Sequence, residues 1–139
     1  MNYYTPITEN NQDAFDTCLT IATKIAVDNK CNQILLLVPS RGTLQSGVIE
    51  ERLRYHTVNK LLSEKKVFIN PITFFLQTRR AKAVGFIRGP VLAAYAYFEQ
   101  LANFIGNKTI PGIILYSNTS EDIEAFKKAA SAEELEITL

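Results

Sequence analysis

Between Asp13 and Asn29 the residues Ala14, Cys18, Ile21, Ala22 and Ile25 recur at helical spacing, which predicts an amphipathic helix. Asn10 or Asn11 supplies its cap, and Asp13 and Asp16 suit the positive end of its dipole. The run Ile34–Leu35–Leu36–Leu37–Val38 is uninterrupted. A strand with one wet face would alternate, so this one reads as covered on both faces, as in a parallel sheet between helix layers. Pro39, Ser40, Arg41 and Gly42 end it. A long helix is expected from Leu44 or Gly47 to Glu64, with Leu44, Val48, Tyr55, Val58 and Leu62 on one face. Val67–Phe68–Ile69 reads as a second strand, closed by Asn70–Pro71.

Ile72–Lys82 fits two patterns. Ile-Thr-Phe-Phe-Leu has strand propensity, whereas Ile72, Phe75, Leu76 and Arg79 share a helical face behind a good Asn70–Pro71 start. The helix is preferred, because no turn residue near Arg79–Lys82 closes a hairpin. Val84–Ile87 reads as a third strand, Pro90–Ile105 as a helix stopped by Gly106, and Ile110–Tyr116 as a fourth strand. A last helix runs from about Glu121 to Ala132, capped by Thr119 or Ser120, and Leu135, Ile137 and Leu139 alternate as an edge strand would. Strands and helices thus alternate. The expected fold is one α/β domain, residues 1–139, a three-layer, Rossmann-like sandwich with a mostly parallel sheet of about four to five strands and helices on both faces.

Composition narrows the function classes. The 139 residues are 47% hydrophobic and 21% charged, ordinary for a globular chain. The net charge of +1 supplies no long-range pull toward nucleic acid or anionic membrane. Cys18 and Cys31 form no metal or disulfide pattern, and Cys18 falls on the core stripe of its helix. The N-terminus lacks a basic region followed by an apolar run, and no stretch is long enough to cross a membrane, so a cytoplasmic protein with reduced thiols is expected.

Pro39-Ser40-Arg41-Gly42-Thr43 lies between a buried strand and a helix, and further strand–helix units follow. In order and spacing this resembles the small regulatory C-terminal domain of pyruvate kinase, where the corresponding loop binds a phosphorylated sugar. The resemblance implies an anionic ligand at this loop. The residues point the same way. Ligands of open parallel sheets bind beyond the carboxyl ends of the strands, which selects the loops Ser40–Gly47, Asn70–Thr73, Arg88–Pro90 and Ser117–Glu121. The first is favoured, because Ser40, Arg41, Gly42, Thr43, Ser46 and Gly47 combine hydroxyls, accessible backbone and a cation ahead of a helix. Arg88 is a further candidate, meeting the ligand across the crevice. The alternative is a solvated turn whose Ser and Thr cap the helix.

Other constellations carry less. Ser40 has no Gly-x-Ser-x-Gly elbow, and His56 sits mid-helix, away from it. Glu121 and Asp122 suit a helix start. Arg79, Arg80 and Lys82, with Lys65 and Lys66, form the densest basic group, read as a solvated face rather than a nucleic-acid surface. Neither a catalytic residue, a metal site nor a cofactor follows. Ile49, Leu53 and His56 lie opposite the core stripe of their helix, and Tyr97 and Phe104 fall on a second apolar stripe of Pro90–Ile105. A second stripe asks for a partner, so these residues are candidate contacts of a homodimer. The leading expectation is a binding or regulatory domain for an anionic or phosphorylated small molecule. The alternatives are an assembly module acting through apolar helix faces, or a nucleic-acid accessory protein.

Overall fold

The computed structural model describes residues 1–6, 12–45, 47–117 and 119–135. The elements run β1 (Asn2–Tyr4), α1 (Gln12–Asp28), β2 (Gln33–Leu37), a 3-10 turn (Arg41–Gln45), α2 (Gly47–Glu64), β3 (Lys66–Ile69), β4 (Ile72–Gln77), β5 (Val91–Ala94), α3 (Phe98–Leu101), β6 (Ile113–Tyr116), α4 (Ser120–Ala130) and β7 (Glu133–Glu134). Among these residues the strands form one seven-stranded sheet in the order β3-β4-β2-β5-β6-β1-β7, parallel except for β3 against β4. This is a mixed α/β fold with a larger sheet than the sequence pattern predicts.

The alternation of side chains along each strand explains the layers. Ile34, Leu36, Leu92, Ala94, Ile114 and Tyr116 point to one core, where they meet Ala14, Cys18, Ala22 and Ile25 of α1 and Val48, Val58 and Leu61 of α2. Leu35, Leu37, Val91, Ala93, Ile113 and Leu115 point to the other, against Leu101 of α3 and Ile123 and Phe126 of α4. β2, β5 and β6 are therefore buried on both faces, which is why their sequences do not alternate.

Three expectations are corrected. Ile72–Gln77 is a strand, not a helix: Phe74 and Leu76 enter one core while Phe75 enters the other, and parallel pairing with β2 from Gln33↔Thr73 to Leu37↔Gln77 outweighs the helical pattern. Val84–Ile87 is not a strand. It belongs to a segment running from the end of β4 to the start of β5, and Ala83 and Phe86 pack over that face, with the Phe86 ring 6.0 Å from Phe75. Pro90–Ile105 is not one helix. Val91–Ala94 pairs with β2 and β6, and the chain becomes helical only at Phe98–Leu101. Its second apolar stripe disappears with the helix, because Tyr97 lies in the loop between β5 and α3 and Phe104 in the turn after α3.

α2 is broken within. Arg54 is non-helical, with φ 74° and ψ 154°, so the positions before and after it do not share one helical phase. Tyr55, expected in the core, is exposed, and Ile49 is fully buried. The sequence pattern does not predict β1, and its partner at the sheet edge is the two-residue β7 at Glu133–Glu134, which ends before Leu135 rather than running through it. Ile137 and Leu139, like the proposed caps Asn10 and Asn11, lie outside the described residues.

Candidate functional site

Strand direction decides which loops share an edge. The chain leaves β2 through α2 toward β3 and β4, and leaves β5 through α3 toward β6, on the opposite face of the sheet. β2 and β5 are neighbours, so their connections diverge and leave a crevice beyond their carboxyl ends. Pro39–Gly42 follows β2, Thr78–Ala81 follows β4, and Tyr95–Tyr97 follows β5, all at this edge.

Short local bonds shape each loop. Ser40 carbonyl accepts the Thr43 N–H at 3.1 Å, and the two hydroxyls lie 3.3 Å apart. The Arg41 guanidinium donates from Nη2 to the Leu62 carbonyl at 3.0 Å, near the C-terminal end of α2 where a cation is favoured. Thr78 and Ala81 close a turn reciprocally: Thr78 N–H donates to the Ala81 carbonyl at 3.0 Å, and Ala81 N–H to Thr78 Oγ1 at 3.2 Å. Lys65, left-handed at φ 65°, ends α2, and its carbonyl accepts the Leu76 N–H at 2.9 Å.

Together these loops wall a cleft of about 830 Å³, lined by Pro39, Ser40, Arg41, Gly42, Lys65, Thr78, Arg79, Arg80 and Ala81. Four of those residues are cations, and none is a carboxylate. A second cleft of about 350 Å³ continues along β4, adding Lys66 and Lys82 and also Glu64. On the other side Arg79 turns toward β5. Its guanidinium carbon sits 5.2 Å from the Tyr97 ring centroid, and Nη2 meets Glu99 Oε1 at 2.8 Å. Gln100 locks the crevice behind it, donating to the Val38 carbonyl at 3.1 Å and accepting the Tyr97 N–H at 3.1 Å.

Of the expected ligand residues, Ser40, Arg41 and Gly42 line the cleft. Thr43 braces it through Ser40, and Gly47 is exposed at the start of α2. Ser46 lies outside the described residues. Arg88 belongs elsewhere. It precedes β5, so it stands at the amino edge, where Gln33 Oε1 accepts the N–H groups of Ile87 and Arg88 at 2.8 and 3.2 Å. The loop at Asn70–Thr73, with its cis Asn70–Pro71 bond, joins β3 to β4 and is also at the amino edge. Ser117 and Thr119–Glu121 are at the carboxyl edge, where Ser117 N–H donates to the buried Thr5 Oγ1 at 3.5 Å. Asp122 accepts the Phe98 N–H at 2.9 Å and so bridges α4 to α3.

The expected interface residues separate too. Ile49 is spent on the chain's own core, Leu53 packs against that core, and Phe104 is half-buried against the opposite one. His56 and Tyr97 are exposed. Burial pushes the Cys18 thiol up to about 12. Arg79, Arg80 and Lys65, read as a solvated face, are the cleft residues that sequence reasoning missed. Assigning Ile72–Gln77 to a strand would have put Arg79 and Arg80 on the ligand edge. No protein-family model, curated protein or solved structure matches the chain, so the likeness to the pyruvate kinase domain brings no function with it.

Proposed function

We propose that the protein binds an anionic small molecule, carrying one or more phosphate groups, in the cleft at the carboxyl ends of β2 and β4. The observation behind this reading is the lining: Arg41, Lys65, Arg79 and Arg80 converge on one concavity without a carboxylate among them. Arg79 is paired with Glu99, whereas Arg41, Lys65 and Arg80 make no ion pair among the described residues, so an anion here gains charge-assisted bonds. Ser40 and Thr78 add hydroxyls, and Gly42 leaves backbone accessible. The cleft lies beyond the carboxyl ends of parallel strands, on the β4 side of β2, and that edge is where ligands of open parallel sheets bind in general.

Thermal denaturation in the presence of inorganic tripolyphosphate tests the reading. At 100 times the dissociation constant a ligand stabilises by about 2.7 kcal/mol, which for a chain of this size is roughly 6–12 °C. Arg80→Ala should cut the shift, since Arg80 is exposed and makes no ion pair among the described residues. An unchanged melting temperature with tripolyphosphate at millimolar concentration and low salt would refute the assignment.

A second reading, an assembly module, draws on one further observation. β3 ends the sheet, and Phe68 and Ile69 on it stand 63% and 44% exposed. Sedimentation across a micromolar concentration series checks it: a monomer throughout dismisses self-association.

A further inference from the structure

We infer that the ligand of this cleft is a nucleotide, its phosphates among Arg41, Lys65 and Arg80 and its base on Tyr97. The inference rests on the anion-binding reading and goes further, because the surface around Arg79 is polarised. Arg79 lines two adjoining cavities. The larger holds the cations. The smaller, about 360 Å³, is lined by Arg79, Tyr97, Phe98, Glu99 and Asp122. One end of the combined groove attracts phosphate, and the carboxylates at the other repel it. Those carboxylates instead accept hydrogen bonds from hydroxyl and amino groups, and Asp122 retains acceptor capacity beyond its bond to the Phe98 N–H.

The smaller cavity also holds an aromatic ring, beside the carboxylates and beyond Arg79 from the other cations. Tyr97 is 46% exposed although Arg79 lies against its ring, and Gln100 fixes its backbone to the end of β2. A half-open ring held in place beside a guanidinium is a stacking platform for a planar base. A ligand with a polyanionic end and, beyond it, a flat aromatic group accompanied by hydroxyl and amino donors matches that polarity. A sugar phosphate lacks the ring, and inorganic polyphosphate lacks both the ring and the donors.

The test compares ATP with inorganic tripolyphosphate by calorimetric titration of the full chain, in wild type, Tyr97→Leu and Tyr97→Phe. ATP should bind about 10- to 100-fold more tightly than tripolyphosphate, the increment that base stacking supplies. Tyr97→Leu should erase that difference without changing tripolyphosphate affinity, and Tyr97→Phe should keep it. Equal wild-type affinities, or a Tyr97→Leu loss shared by both ligands, would overturn the nucleotide inference while leaving the anion site standing. If neither ligand binds, the anion-binding reading fails and this inference falls with it.

Discussion

Gly89→Ala is the sharpest structural test of where the loops lie. A Cβ built on Gly89 would sit 2.0 Å from the Gln33 carbonyl oxygen and 2.8 Å from its carbon, both backbone atoms of β2. Real contacts of this kind lie beyond 3 Å, so the strand or the loop must move by more than an ångström. Moving β2 disturbs a strand paired on both sides, and moving the loop weakens the hold of the Gln33 side chain on Ile87 and Arg88. Overpacking a well-packed interior costs about 1–3 kcal/mol and at times more, and backbone against backbone belongs at the top of that range. With total stability of roughly 7–20 kcal/mol for a chain of this length, about 3 kcal/mol is readily measured. The assay is urea denaturation beside Gly47→Ala, where a Cβ meets nothing within 4 Å. Gly47→Ala should lie within about 1 kcal/mol of wild type. If Gly89→Ala unfolds at the wild-type midpoint, the close approach of Gly89 to β2 is wrong. The placement of Arg88 at the amino edge then loses its support.

Arg88→Ala should leave tripolyphosphate affinity unchanged, because Arg88 lies across the sheet from the cleft; a loss matching that of Arg80→Ala would contradict the topology. Lys30→Gly should stabilise by about 0.5–1 kcal/mol, because Lys30 ends α1 at φ 57°, a conformation glycine adopts without cost; a melting temperature below wild type would refute this. The Cys18 thiol keeps its proton to about pH 12 when folded but only to about 9 when unfolded. The unfolded state therefore binds fewer protons in that window. Stability is intact below pH 9 and falls above it, by about 1.4 kcal/mol per pH unit, relative to Cys18→Ala. Parallel pH curves for the two proteins would show that the thiol titrates alike in both states.

How far the sequence reached depends on what each segment had to satisfy. α1 and α4 were legible because one face of each is wet, which leaves a clear stripe. β2 was legible because five apolar residues in a row fit a doubly covered strand. The same burial hid β5. Val91-Leu92-Ala93-Ala94 does not alternate, and two alanines followed by Tyr-Ala-Tyr-Phe read as helix. The left-handed turn at Tyr95, φ 59°, which ends the strand, leaves no mark in a Tyr. β4 was balanced between two patterns, and pairing with β2, a long-range term, decided it. The break at Arg54 has no Pro or Gly to announce it. The site was half legible for these reasons. Ser40–Gly42 follows a recognisable strand, whereas Arg79 and Arg80 follow a misassigned one, and Lys65 reaches the cleft only because α2 ends beside β4.

Amide chemical-shift mapping during titration with tripolyphosphate locates the anion site residue by residue. Saturable shifts are expected at Ser40–Gly42, Lys65 and Thr78–Ala81, at the carboxyl edge, with Asn70, Thr73 and Arg88 at the amino edge silent. Shifts confined to the amino edge, or spread evenly over surface lysines without saturation, would contradict that placement.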